Sequence, residues 1–121
     1  MIDLIGKPYR YGADGTDPDG AIDCIHLVYT VLGRLEISTP AFKTDWYACG
    51  WRQISRDLLS WGKRIDIPSY DGDVLIIPQT AAAFAVAWSQ GCLYINQDFK
   101  AVAWCPIGNL PYSHCFRTKS A

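Results

Sequence analysis

The chain has 121 residues, of which 11 are lysine or arginine and 12 are aspartate or glutamate, and its hydrophobic fraction is 50%. The near-neutral charge gives no basic surface, so we expect no nucleic-acid partner, and the hydrophobic fraction excludes a disordered chain. The length predicts one domain that spans residues 1–121.

The sequence gives no sign of a membrane or export segment. No run of residues approaches the roughly 18 apolar residues of a membrane span. The first residues, Met1 to Gly6, lack the basic, apolar and small-residue progression of a signal peptide. We therefore expect synthesis in the cytoplasm.

The predicted elements fall into helices first and strands afterwards. The helical segments and the connections between them are a short turn over 2–6, a loop over 8–20, a helix over 24–36, an irregular connection over 36–50 and a helix over 51–61. The predicted strands cover 74–77, 82–88, 92–95, 100–105 and 113–117, with a turn over 89–91. This order predicts an α+β domain in which N-terminal helices pack on a C-terminal antiparallel sheet.

Neither metal nor cofactor binding is expected. The cysteines are Cys24, Cys49, Cys92, Cys105 and Cys115. Their odd number and the lack of a C-x-x-C pair predict reduced thiols, and His26 and His114 lack zinc-ligand spacing to two of them. The loop aspartates do not form an EF-hand, because Ile25 stands where the bidentate glutamate belongs when Asp14 is the first position.

Cys24 follows Asp23, the predicted N-cap, where a loop rich in glycine and aspartate becomes the helix over 24–36. The dipole and unpaired N–H groups of a helix N-terminus favour a thiolate there. The alternative is a small buried core residue, since cysteine is among the most buried residue types.

Three motifs in chain order favour a reactive thiolate at Cys24 over a buried core residue. They are Gly6-Lys7-Pro8-Tyr9-Arg10-Tyr11-Gly12, then Asp23-Cys24 at the start of a helix, then Tyr70-Asp71-Gly72-Asp73-Val74-Leu75. Together they resemble the NlpC-type family of papain-like cysteine endopeptidases, which cut peptide bonds in bacterial cell walls. The resemblance runs from Gly6 to about Asn96 and implies a papain-like NlpC-type fold. It also implies that Cys24 is the nucleophile and that Tyr9 and Asp23 line the substrate site.

The chain departs from the family pattern at two places. Ile25 and His26 replace the serine and glycine that follow the family's nucleophile, where the aspartate and serine help to read the free amino end of a peptide. Ala83 stands where the catalytic histidine belongs, with Asn96 or Gln97 near the third, orienting position. A cysteine nucleophile needs a neighbouring imidazole to accept its proton.

Two histidines remain as candidates for that base. His26 lies two residues after Cys24, about 200° around the helix axis, so it is expected to face away from the thiol as a packed or capping residue. His114, in the last predicted strand, is the remaining candidate.

Three functions follow. The first is a catalytically impaired NlpC-type domain that acts as a binding or structural module. The second is an active cysteine hydrolase of peptidoglycan stem peptides, with Cys24 and His114 as its catalytic pair. The third is a structural component of a bacteriophage tail or a similar assembly, associated with the virion and bound to protein partners. A set of exposed aromatic residues would suit such a partner face: Trp46, Tyr47, Trp51, Trp61, Trp88 and Trp104.

Overall fold

The computed structural model describes residues 1–37, 62–68, 70–77, 83–96, 98–109 and 114–118. Within these ranges the chain forms a short 3-10 helix, Ile2–Leu4, one α-helix and a six-stranded antiparallel sheet. The α-helix is α1, Cys24–Arg34, and the strands are β1, Gly62–Ile65; β2, Val74–Ile77; β3, Ala83–Trp88; β4, Gly91–Asn96; β5, Ala101–Pro106; and β6, His114–Thr118. This is the α+β class that the sequence predicts. The helix predicted over 51–61 lies outside the described residues.

The sheet has the strand order β1-β6-β2-β3-β4-β5. The bounds of β2 to β6 agree with the predicted strands to within one residue at each end. Strand β1 was not predicted, because Lys63 and Arg64 are exposed and interrupt any alternation of buried and exposed residues. It joins the sheet only through β6, with Arg64 opposite Phe116.

Helix α1 buries one face against the sheet. Its buried residues are Ile25, Leu27, Val28, Val31 and Leu32. The helix ends two residues before its predicted end, because the N–H of Glu36 bonds to Gly33 O and the N–H of Ile37 bonds to Leu32 O. Glu36 has a left-handed φ of 59°. These are the bonds of a Schellman motif, which terminates the helix.

The two faces of the sheet carry separate apolar clusters because successive strand residues point in opposite directions. Helix α1 covers the first face, whose buried strand residues are Val74, Ile76, Phe84, Val86, Leu93, Val102 and Phe116. The second face carries Leu75, Ile77, Ala85, Ala87, Cys92 and Cys115. All members of both sets are buried, so both faces of the sheet are covered.

The Gly72-Asp73 motif joins the end of α1 to the sheet. Gly72 has a left-handed φ of 95°, which favours glycine, and it packs against the end of α1, where a Cβ atom would lie 2.5 Å from Ile37 Cδ1. Asp73 is buried, and its carboxylate accepts hydrogen bonds from Arg117 Nε at 3.1 Å and from the N–H of Tyr70 at 3.0 Å. The motif therefore has a structural role independent of any chemistry.

The N-terminal segment covers the outer edge of β5. The N–H of Gly6 bonds to Val102 O at 2.8 Å, the N–H of Val102 bonds to Lys7 O at 2.9 Å, and the N–H of Tyr9 bonds to Lys100 O at 2.8 Å. The segment then turns towards α1, because the N–H of Ile22 bonds to Pro8 O at 2.9 Å. These bonds place Tyr9 beside the first turn of the helix.

No helix in the described ranges is long and apolar enough to cross a membrane.

Candidate functional site

The site is built at the head of α1. Asp23 has extended backbone angles, φ -99° and ψ 174°, and its side chain accepts the N–H of His26 at 2.7 Å. An aspartate in this geometry is an N-cap, since it satisfies one of the unpaired N–H groups of the first turn. Cys24 is the first helical residue and is partly buried.

The thiol of Cys24 is directed at the sheet. The backbone N–H of Phe84 bonds to its sulfur, and this bond joins the N-terminus of α1 to the start of β3. The same bond and the N–H groups of Cys24 and Ile25 favour the thiolate, but burial outweighs them and raises the pKa of the thiol to about 11. The thiol therefore remains protonated at neutral pH, in contrast to the thiolate expected from its position at a helix N-terminus.

Tyr9 lies within electrostatic range of Cys24, Asp23 and Tyr11. The pKa of the Tyr9 phenol is raised mainly by burial and further by the nearby Cys24, Asp23 and Tyr11. Tyr9 is nevertheless 38% exposed, so part of it faces solvent. A parallel bridge pairs Tyr9 with Ile22, which directly precedes Asp23 and Cys24, and this brings the three residues near one another.

His26 is held by the carboxylate of its own N-cap. His26 Nδ1 lies 2.9 Å from Asp23 Oδ1, the oxygen that also accepts the His26 backbone N–H. Because a carboxylate only accepts hydrogen bonds, Nδ1 carries the proton in this contact. The Asp-x-x-His spacing resembles a capping box and is the sequence signal from which this ring contact could have been predicted.

His114 begins β6, where it pairs with Ile76 of β2, and Ile76 in turn pairs with Phe84 of β3. Neighbouring strands lie about 4.8 Å apart, so the backbones of His114 and Phe84 are separated by two strand spacings, about 10 Å. Ala83, the position expected for the catalytic histidine, pairs with Ile77 and directly precedes Phe84.

Asn96, one of the two candidates for the orienting position, is used by the turn after β4. Its Oδ1 accepts the N–H groups of Asp98 at 2.9 Å and Phe99 at 3.0 Å. Its Nδ2 lies 3.4 Å from the Tyr94 hydroxyl. Gln97, the other candidate, lies outside the described residues.

The loop aspartates are occupied by partners within the loop. Asp14 Oδ1 accepts the N–H of Thr16 at 3.0 Å and its hydroxyl at 2.6 Å, while Arg10 pairs with Asp17 and Asp19. Among the described residues, no group of three or more His, Cys, Asp or Glu side chains could hold a metal ion. The loop therefore has the geometry of a set of turns closed by an arginine.

The main contact that sequence reasoning missed is the bond from the Phe84 N–H to Cys24. A backbone group carries no residue-specific signal, so nothing in the sequence indicates it.

A scan against protein-family models finds no match to this chain, and a search of curated proteins also finds none.

Proposed function

We propose that this chain is an NlpC-type domain whose site around Cys24 binds peptides of the bacterial cell wall but has lost most or all of its hydrolytic activity. One juxtaposition carries the proposal. Cys24 contacts the backbone of Phe84, and β3, Ala83–Trp88, carries no side chain that could accept a proton. The thiol therefore lies against a strand that offers it no base.

The protonation state of the thiol supports the loss of activity. Burial raises the pKa of Cys24 to about 11, so less than about one thiol in a thousand is ionised at pH 7. Catalytic cysteines have the opposite shift, because a neighbouring imidazolium or a helix terminus stabilises the thiolate. Without an imidazole, the N–H groups at the helix head do not offset the desolvation of the sulfur.

The remaining groups support a binding role. Tyr9 presents a half-exposed aromatic ring next to Asp23 and Cys24, and such a ring contributes apolar contact area with one polar end. One oxygen of Asp23 already accepts two hydrogen bonds from His26. His26 therefore competes with any peptide amino group for this carboxylate, and we expect His26→Ala to tighten the binding of peptides with a free amino end.

Hydrolysis is tested by incubating the wild-type protein, Cys24→Ala and His114→Ala with cell-wall stem peptides. We expect no Cys24-dependent product from the wild type. A wild-type product that disappears in both Cys24→Ala and His114→Ala would instead establish the active hydrolase with His114 as its base.

Binding is tested by titrating the same peptides into the protein and following backbone amide resonances. Tyr9→Ala should weaken binding several-fold. Tyr70→Ala is the matched control, because Tyr70 is another exposed tyrosine but lies beside Gly72, at the opposite end of α1. If no peptide binds the wild-type protein, the binding role is wrong.

Exposed aromatic side chains favour a second candidate, a structural component of a bacteriophage tail or similar assembly. They are Tyr9, Tyr11, Tyr70, Phe99 and Trp104. Of the tryptophans that suggested a partner face, Trp88 is partly buried, and Trp46, Trp51 and Trp61 lie outside the described residues. Concentration-dependent self-association, or retention of a tail protein during purification, would support this candidate, and a strict monomer without a retained partner would count against it.

A further inference from the structure

Two cysteines on the second face of the sheet lie directly opposite each other. Cys92 of β4 pairs with Cys105 of β5 in the antiparallel register. Directly opposed residues of an antiparallel pair share one face of the sheet, with Cβ atoms about 4.5–5.5 Å apart. The two thiols are also close enough for charge on Cys105 to raise the pKa of Cys92.

The backbone bonds define which kind of pair they form. The N–H of Ile107 donates to Gln90 O at 3.3 Å, so Gln90 and Ile107 are a hydrogen-bonded pair. The N–H and C=O of Val102 bond to Lys7 and Gly6, so Val102 and its partner Ile95 are a non-hydrogen-bonded pair. Hydrogen-bonded and non-hydrogen-bonded pairs alternate along the ladder, so Cys92 and Cys105 form a hydrogen-bonded pair. The expected Cα separation is about 5.5 Å, within the range that a disulfide spans. The Cβ atoms of a hydrogen-bonded pair lie at the wide end of their range, so they must approach each other by about 1 Å for the bond to form.

The other cysteines of the described chain are placed differently. Cys115 shares the second face but lies on β6, with β2 and β3 between it and β4. Cys24 packs with the cluster on the other face of the sheet. Cys105 is partly exposed and Cys92 is buried, so a soluble reagent reaches Cys105 first.

We propose that Cys92 and Cys105 are an oxidisable thiol pair, which a small disulfide such as glutathione disulfide converts into a cross-strand disulfide between β4 and β5. The Cys105 thiolate attacks one sulfur of the oxidant, forms a mixed disulfide and releases one glutathione. The Cys92 thiolate then attacks the Cys105 sulfur and releases the second glutathione. The two cysteine protons end on the two released thiols, so two cysteines are oxidised and one small disulfide is reduced to two thiols.

The bond would tie together the two strands that support the N-terminal segment. Strand β5 carries Val102, which holds Gly6 and Lys7 by backbone bonds. A disulfide to β4 would restrain β5 and, through it, the segment that positions Tyr9. This inference does not depend on any activity at Cys24.

The test is oxidation of the full, folded chain with glutathione disulfide, followed by blocking of remaining thiols, proteolysis and mass spectrometry. We expect a Cys92–Cys105 cross-link with the loss of two hydrogen atoms, reversed by dithiothreitol. The same product should form in Cys115→Ser and Cys24→Ser and be absent from Cys105→Ser, which substitutes a partly exposed side chain and should still fold.

Two results would overturn the proposal. One is a stable mixed disulfide of glutathione with Cys105 that never releases its second glutathione. The other is a dominant cross-link between a different pair of cysteines in the folded protein. Oxidation of the chain in denaturant is the reference for pairing without the fold, and a 92–105 yield no higher in the folded protein would likewise contradict the proposal.

Discussion

The backbone N–H of Phe84 bonds to the sulfur of Cys24 and joins the head of α1 to the beginning of β3. This relationship fixes the thiol against β3, Ala83–Trp88, which carries no side chain that could accept a proton. It also withdraws the sulfur from water, and the pKa of Cys24 rises to about 11. The geometry of a nucleophile is thus combined with the protonation state of a core cysteine.

The Asp23 cap predicts a stability difference between two substitutions. Asp23→Ala removes the acceptor for the N–H and Nδ1 of His26, and we expect it to lower the free energy of unfolding by about 1–2 kcal/mol. Asp23→Asn keeps a capping oxygen and should lose less than half as much. Urea unfolding measures both, and equal losses would show that the charge of Asp23 matters more than its capping oxygen.

Two glycines predict opposite effects of the same substitution. A Cβ on Gly91 would lie 2.3 Å from Trp104 Cε2 and 2.4 Å from Cys105 O, so Gly91→Ala should lower the free energy of unfolding by about 1–3 kcal/mol. A Cβ on Gly33 meets nothing within 4 Å, so Gly33→Ala should raise it by about 0.5–1 kcal/mol through helix propensity. Thermal unfolding of the two variants and the wild type measures both changes. A Gly91→Ala variant as stable as the wild type would contradict the prediction and would mean that β4 and β5 move apart there at little cost.

The Asp73–Arg117 pair predicts a larger effect than a surface pair does. The Asp73 carboxylate is 2% exposed and bonds to Arg117, so Arg117→Met leaves a buried charge and should cost about 2 kcal/mol. Arg34→Met breaks the pair with exposed Asp3 and should change stability very little. Equal denaturant midpoints for the two variants would mean that water solvates the Asp73 carboxylate once Arg117 is replaced.

The buried thiols predict a loss of stability at alkaline pH. Burial raises the pKa of Cys92 to about 11 and that of Cys115 to about 12 from an ordinary value of 9.0. The folded state therefore keeps these protons to a higher pH than the unfolded state does. The stabilisation is complete below about pH 9 and is lost as the pH rises through about 11 for Cys92 and about 12 for Cys115, by up to about 1.4 kcal/mol per pH unit for each thiol.

Unfolding of the reduced protein in urea between pH 8 and pH 10.5 measures this slope. Cys115→Ala should show a shallower decline than the wild type, because one of the shifted thiols is gone. Parallel slopes for the two proteins would contradict the assignment to buried cysteines.

The sequence predicted the parts of the fold that periodicity encodes. Val74-Leu75-Ile76-Ile77 reads as a buried strand and is one, and the cap at Asp23 marks the start of α1. Strand β1 was not predicted, because Lys63 and Arg64 give no alternation of apolar and polar residues. It forms a strand through its pairing with β6. Pairing between residues far apart in sequence leaves no local pattern.

The electrostatics of the candidate site could not be predicted from the sequence. Motif order grouped Tyr9, Asp23 and Cys24, and a bridge between Tyr9 and Ile22 brings Tyr9 near the other two, while their role as a site stays a prediction. The helix terminus predicted a thiolate, whereas burial against Phe84 produces a protonated thiol. Desolvation depends on what covers the sulfur, and this is a property of the packed chain that residue types alone do not specify.

The most direct measurement of the central claim is the pH dependence of iodoacetamide alkylation at Cys24, followed separately from the other cysteines by peptide mass spectrometry. The pKa of about 11 predicts slow labelling at pH 7 and a rate that is still rising at pH 10. An inflection below pH 7, with Cys24 labelled far faster than the other four cysteines, would contradict the account and restore Cys24 as an activated nucleophile.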